Sequence, residues 1–402
     1  MITVVDSVMG SGKTSWAINE LLDKNLDKNI LYVTPYLEEI ERIKEKTIRR
    51  IESPENYGKG KLDNIANLMN WQMDIASTHE LLKRFDDKCK AALKENEYTL
   101  ILDETISAVT PYTFDKKDDY LYLLKNHDIK INDDGLVLWT GDSELDTRFN
   151  DVRTLAKNKC LFQVDGKFFL WHFPIEIFKL FKDVFILTYL FDGSLMKNYF
   201  DLYNLQYNVK SISKTKIDDK YRLVDFYKPN KQTFRNRINI YEGKLTQNIS
   251  QKNTMLSASW SKSSYNQKDL QQIQKNLFNF SHNIIKAKSD DIMWTSHKST
   301  KKKLCGKGYT NSFVACNARA SNNYKDRTCL MYALNWYENP EIRKFFEQHN
   351  ITVNQDLTAL AALIQWIWRS NIRVPDSDKN INVYIPSKRM RNLLKDWLYD
   401  RV

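Results

Sequence analysis

Cysteine is sparse in this sequence. Its five residues, Cys89, Cys160, Cys305, Cys316 and Cys329, lie far apart, with no Cys-x-x-Cys pair and an odd total. That pattern excludes a disulfide framework and a cysteine-based zinc module, and it points to reduced thiols. Long hydrophobic runs are missing too. No apolar stretch approaches the roughly 20 residues needed to span a bilayer, so no membrane partner is expected. No signal-peptide core is present either, because Asp6 and the polar loop after it occupy its place. The expected location is the cytoplasm.

What remains is a chain of 402 residues, 42% hydrophobic, with a net charge of +11. That length accommodates roughly two or three domains, each with its own core. The positive balance suits a polyanionic partner such as nucleic acid, or it reflects a Lys-rich composition.

The most informative stretch opens the chain. The β-branched run Ile2-Thr3-Val4-Val5-Asp6 feeds Ser7-Val8-Met9-Gly10-Ser11-Gly12-Lys13-Thr14, and Ser15 to Leu22 has helical character. Strand, Gly-rich turn and helix in that order form a phosphate-binding loop. Gly10 and Gly12 let the backbone N–H groups of residues 9–15 (Met9, Gly10, Ser11, Gly12, Lys13, Thr14 and Ser15) close around phosphate oxygens. The helix that follows points its positive end at the same place. Lys13 reaches the β and γ phosphates, and the Thr14 hydroxyl ligates Mg2+. Ser7 stands where the usual pattern has Gly or Ala.

A second buried strand, Tyr98 to Leu102, ends on Asp103-Glu104. An acidic pair at the carboxyl end of a strand downstream of a phosphate loop completes an ATPase site. Asp103 would hold Mg2+, and Glu104 would orient or deprotonate the attacking water.

Other segments fill in the organisation. Asn29 to Thr34 reads as a strand stopped by Pro35, Met73 to His79 as another whose end carries polar residues, and Val184 to Leu190 as a third that presents Thr188. Leu37 to Ile51 is a helix whose basic residues either track a phosphate backbone or form a solvated face. A Gly/Lys-rich loop spans residues 57–61. Between about 111 and 172 the βα rhythm breaks. There, two apolar strands around Asp165-Gly166 signal a hairpin, read as part of an inserted α+β element that contacts a partner or packs on the first domain.

The Lys-rich stretch Lys210 to Lys220 is the expected linker. Beyond it come strands at 291–296, 312–317 and 328–334, with Asn317 and Arg319 after the second of these. A long helix from Leu357 to Arg373 places Gln365, Arg369 and Arg373 at i, i+4 and i+8 on one face. Such a stripe suits either an anionic partner, with an arginine stabilising transition-state charge, or a cationic surface. The expected fold class is therefore α/β with two tandem layers: residues 1–210 with the insertion at about 111–172, and residues 211–402.

Taken in order, these motifs resemble superfamily 2 DExD/H-type helicases, and among them the compact helicase-like replication proteins of bacteriophages and mobile elements. The resemblance implies two RecA-like P-loop NTPase domains in tandem with ATP and Mg2+ in the cleft, and single-stranded or forked nucleic acid, DNA before RNA, across the top. It assigns Lys13, Thr14, Asp103 and Glu104 to nucleotide and metal. It assigns Thr34, Thr78, Thr188, Asn317 and Arg319 to coupling and strand contact. Gln365 and Arg369 fit the first and fifth places of Gln-x-x-Gly-Arg-x-x-Arg, although Trp368 replaces Gly and Arg373 falls one residue late. Family members often read adenine with a glutamine upstream of the phosphate loop, and the sequence before Ser7 shows no such element.

The expected function is an ATP-hydrolysing helicase or translocase in phage or plasmid replication, with other replication proteins as further candidate partners, in the host cytoplasm. A DNA-packaging motor is the enzyme alternative, although the C-terminal half lacks the clustered acidic residues of a nuclease. A loader or counter-defence protein that binds nucleotide and DNA without unwinding is the alternative from another class.

Overall fold

The computed structural model describes residues 1–24, 27–56, 60–116, 118–142, 147–317, 322–374 and 377–401. In chain order the strands are β1 (Ile2–Asp6), β2 (Asn29–Thr34), β3 (Ile51–Glu52), β4 (Asp74–Thr78), β5 (Tyr98–Asp103), β6 (Val109–Tyr112), β7 (Ile129–Ile131), β8 (Val137–Trp139), β9 (Leu161–Val164), β10 (Phe168–His172), β11 (Asp183–Thr188), β12 (Asn208–Lys214), β13 (Tyr221–Asp225), β14 (Ile238–Ile240), β15 (Ile292–Ser296), β16 (Cys329–Ala333) and β17 (Ile381–Tyr384).

The chain divides into two compact units. The first comprises Met1–Asp6, Gly12–Phe226 and Asn339–Val353; the second comprises Ser7–Ser11, Tyr227–Glu338 and Asn354–Val402.

The first unit is built on an eight-stranded sheet in the order β13-β12-β1-β11-β5-β2-β4-β3. All its neighbours run parallel except the β12–β13 hairpin at the edge. Strands buried on both faces read as continuous apolar runs. β1, β2 and β5 have that character because helices cover both sides, with Leu31, Val33 and Leu100 in one core cluster and Val5, Tyr32 and Ile101 in the other.

The insertion folds around its own small core of Phe114, Leu123, Val137, Phe149, Val152 and Phe169. The expected hairpin is present, with Phe168 opposite Val164. Asp165 (φ 52°) and Gly166 (φ 67°) both adopt the left-handed conformation at the centre of the turn that the Lys167 N–H closes on Val164 O at 3.2 Å, within a three-residue hairpin loop. Asp119, buried in this element, is held by a two-pronged contact from the Arg148 guanidinium at 2.7 and 3.2 Å.

Two expectations need correction. The Lys-rich segment read as a linker is β12 and its turn. Ser211 and Ile212 are buried in the sheet, while Lys210 and Lys214 point outward and pair with Asp225 and Asp219. Polar composition concealed a strand whose pairing to β1 supplies the burial. Segment 312–317 is likewise not a strand, and only Phe313 bridges to Trp294.

The second unit carries a parallel four-stranded sheet, β14-β17-β16-β15. Trp294, Tyr309, Met331 and Tyr384 lie in its core. Among the described residues, no helix is long and apolar enough to cross a membrane.

Candidate functional site

The loop after β1 has the backbone that its glycines allow. Gly10 (φ 81°) and Gly12 (φ 91°) both lie in the left-handed region, which a residue with a Cβ enters only at a cost. Trp16 N–H donates to Gly12 O at 2.8 Å, so the helical turn Lys13–Trp16 starts directly after the second glycine. A π-helical segment, Ala17–Leu22, continues it.

Lys13 and Thr14 sit in that first turn, and the acidic pair closes on them from β5. Asp103 Oδ2 accepts from the Tyr32 hydroxyl at 2.9 Å and faces Thr14 Oγ1 at 3.5 Å. The Asp103 backbone carbonyl meets His79 Nε2 at 3.0 Å. A carbonyl only accepts, so this His79 nitrogen carries the proton. Burial pushes the His79 pKa down to about 4 and keeps the ring neutral.

Glu104 follows with φ 71°, a left-handed conformation unusual for a side chain of its kind, pinned by its N–H to Leu187 O at 2.9 Å. This bond exists because β11 lies between β1 and β5, with Leu187 opposite Asp103 and Thr188 opposite Asp6. The Asp6 carboxylate accepts the N–H groups of Leu190 (3.0 Å) and Phe191 (2.9 Å), which fixes the turn after Thr188.

Charge in the site is poised by burial. Burial lowers the Lys13 pKa to about 8, against the pull of Asp103, Asp6 and Glu104. Burial also raises Asp103, opposed by the Tyr32 hydrogen bond, then by Arg42, Lys13 and Thr14. Tyr32 is held well above its ordinary value by burial and by the neighbouring Asp103 charge.

No cluster of three or more His, Cys, Asp or Glu side chains suited to a metal occurs among the described residues. Mg2+ does not require one. It typically takes one or two protein oxygens and completes its octahedron with phosphate and water, its adjacent ligands lying about 3 Å apart. Thr14 Oγ1 and Asp103 Oδ2, 3.5 Å apart, fit such a pair after a shift of a few tenths of an ångström.

The remaining expected residues divide by position. Thr34 ends β2 fully buried, and Thr78 caps the helix His79–Leu82 by accepting from Leu81 N–H. Asn317 is exposed in a turn, and Arg319 lies outside the described residues, as do positions 57–59 of the Gly/Lys-rich loop.

The stripe of Gln365, Arg369 and Arg373 does not share a helical face. The helix Gln355–Ile367 ends before Arg369, and Arg373 sits in the separate turn Asn371–Arg373. The buried Ser370 hydroxyl takes the Ile367 carbonyl at 2.6 Å, and Asn371 N–H turns away to Arg327 O. These competing bonds end the helix that periodicity extended. Gln365 is exposed, whereas Arg369 is buried and donates to Cys316 O at 3.0 Å. With Trp366, whose Nε1 donates to Val314 O, Arg369 anchors segment 314–316.

Sequence reasoning missed Tyr32, His79 and Asp6. Tyr32 left a trace, since a tyrosine inside the aliphatic run Ile30 to Val33 must find a partner for its hydroxyl when buried.

Comparison with known proteins places these features in context. Residues 232–398 match the YonV C-terminal Rossmann-like domain, and residues 115–171 match the YonV middle domain. The chain is 38% identical to the SPbeta prophage-derived uncharacterized protein YonV of Bacillus subtilis (strain 168), across 99% of this chain and 98% of that one. Among solved structures, an apo XPD structure superposes with a TM-score of 0.54 at 11% identity, covering 99% of this chain and 95% of that one. An XPD helicase structure gives 0.53 at 11%, covering 100% and 94%. The fold is thus the one these XPD structures share, α/β with tandem RecA-like domains.

Proposed function

The chain belongs to the YonV family, and we propose that within it this protein is an ATP-dependent nucleic-acid helicase or translocase acting on DNA. The observation that carries the reading is the convergence of Tyr32 and Asp103 on Thr14, in the helical turn that starts directly after left-handed Gly12. A phosphate cradle has no need of a half-buried carboxylate facing its threonine; a Mg2+–nucleotide site does.

In this reading residues 9–15 wrap the phosphates, and Lys13 sets its charge against the β and γ groups. Thr14 Oγ1 and Asp103 Oδ2 would hold Mg2+, which when bound neutralises developing phosphate charge. Glu104, fixed by its backbone bond to Leu187, orients the attacking water and accepts its proton. Thr188 reports the state of the site, because Asp6 locks the turn after it. Exposed Asn317 is assigned to strand contact, and Thr34, fully buried, and Thr78, which caps a helix, are assigned to coupling. The transition-state arginine is Arg369 or Arg373, whichever loses kcat at saturating ATP when changed to Ala.

The net charge of +11 supports a nucleic-acid partner, with salt-dependent grip. A role in phage or plasmid replication fits the prophage origin of the relative. ATPase assays with and without single-stranded DNA, together with strand displacement, test the proposal. DNA-stimulated turnover with displacement is expected. Turnover without displacement points to a translocating or loading protein, and no DNA stimulation overturns the helicase reading.

A further inference from the structure

We propose that Tyr221 is the base platform of the nucleotide site, its outer ring face stacking on the base of the ATP whose phosphates lie along Gly12, Lys13 and Thr14. This rests on the nucleotide reading above and adds the part of the site that the phosphate loop does not supply.

The sheet order fixes where a base must go. β1 has β11 and then β5, with Asp103 and Glu104, on one side, and β12 and then β13 on the other. Neighbouring strands are about 4.8 Å apart, so the acidic pair stands roughly 10 Å from β1 in one direction. A triphosphate with its terminal group toward the acids directs its nucleoside the opposite way, toward β12 and β13.

The hairpin is long enough to meet it. Lys210 lies opposite Val5, and the strand continues four residues to Lys214, which pairs with Tyr221. At about 3.3 Å per residue the hairpin end rises roughly 13 Å past Val5, on the edge of the sheet where the phosphate loop begins.

Tyr221 is in contact with that loop. A Cβ built on Gly12 would fall 2.2 to 2.4 Å from three atoms of the Tyr221 ring, so the bare Gly12 Cα lies flush against one ring face. Gly12 therefore answers two demands, its left-handed φ and this close approach. With that face occupied, a base has the other to stack on, and the Lys214 ammonium stands 5.8 Å from the ring centroid. Lys214 pairs with exposed Asp219 at 2.7 Å, and a solvent-screened pair of this kind holds its lysine weakly. An arriving base displaces it. Tyr221 is itself half-buried against the cluster of Val5, Trp16 and Ile18, so the platform is held before nucleotide binds. Stacking on an aromatic face tolerates any base, which predicts weak discrimination among nucleoside triphosphates.

The test compares ATP with inorganic tripolyphosphate by calorimetric titration of the full chain with Mg2+, using wild type, Tyr221→Phe, Tyr221→Leu and Tyr221→Ala. Tyr221→Leu keeps an apolar cover on Gly12 without a π face, which guards against a packing defect in the alanine variant. Tyr221→Phe should bind ATP like wild type. Tyr221→Leu and Tyr221→Ala should bind ATP about tenfold more weakly, within the range that base–aromatic stacking supports, while tripolyphosphate affinity changes less than about threefold. Equal losses for both ligands would mean that the ring only braces the loop, and unchanged ATP binding would mean that the base lies elsewhere; either overturns the platform. If wild type binds neither ligand, the nucleotide reading itself fails, a result distinct from both.

Discussion

Replacing Tyr32 with Phe removes one oxygen from the centre of the site and leaves the ring that packs the sheet. Tyr32 is fully buried on β2, and its hydroxyl donates at 2.9 Å to the Asp103 oxygen that also faces Thr14. A hydrogen bond to a charged group is worth about 1.5–3 kcal/mol. Losing such an orienting partner typically costs a metal site about 10–100-fold in affinity, or about 1.4–2.7 kcal/mol. The two ranges agree, and two physical effects act in the same direction. Asp103 loses the bond that orients it, and it also loses the largest influence opposing the burial that favours its protonated form.

Tyr32→Phe is therefore expected to raise the Mg2+ concentration that half-saturates ATP binding by about tenfold or more. Affinity for metal-free ATP should change less than about threefold, since Gly10, Gly12 and Lys13 are untouched. Titrating Mg2+ against a fluorescent ATP analogue measures both. An unchanged Mg2+ midpoint would refute the assignment of Tyr32 as the positioning residue for Asp103.

Further outcomes follow from the same geometry. Glu104→Gln should keep nucleotide binding and lose about 10²- to 10⁴-fold in turnover, the usual contribution of a positioned proton acceptor; single-turnover kinetics separate binding from chemistry. Arg369→Ala removes the donor to Cys316 O from a buried site, and denaturant unfolding should show a loss of about 2 kcal/mol; a change below about 0.5 kcal/mol would contradict the anchoring role. His172 is fully buried, stacked on Phe162 and pushed down to about 3 by burial and then by His349. The unfolded chain takes up a proton below about 6.5 while the folded His172 does not until about 3, so stability falls as pH drops, by about 2 kcal/mol at pH 5. His172→Phe should flatten that slope between pH 7 and 5, and equal slopes in the two proteins would count against it.

Local rules made the phosphate loop and the hairpin legible. A β-branched strand, two glycines and a helix predicted the loop, and Gly10 and Gly12 adopt the backbone that only their lack of a Cβ makes inexpensive. Asp165-Gly166 is a turn that two residues specify alone. Tyr32 and Tyr221 were opaque for the opposite reason. Tyr32 acts through strand order, 71 residues from Asp103 in sequence, and Tyr221 meets Gly12 only because β12 pairs beside β1. The Lys-rich stretch 210–220 looked like a linker because its buried positions, Ser211 and Ile212, are outnumbered by Lys210, Lys214, Lys216 and Lys220. Helical periodicity carried the helix through Arg373. The structure ends it at Ile367, where Ser370 and Asn371 find better hydrogen-bond partners outside the helical pattern.

The most direct test of the account is Mg2+-dependent ATP hydrolysis by the full chain and by Lys13→Ala, each with and without single-stranded DNA. The expected result is DNA-stimulated turnover in wild type and none in Lys13→Ala, whose circular dichroism and thermal midpoint stay those of wild type. Normal turnover in the variant would contradict the phosphate-loop site, and wild-type turnover indifferent to DNA would contradict the helicase or translocase reading.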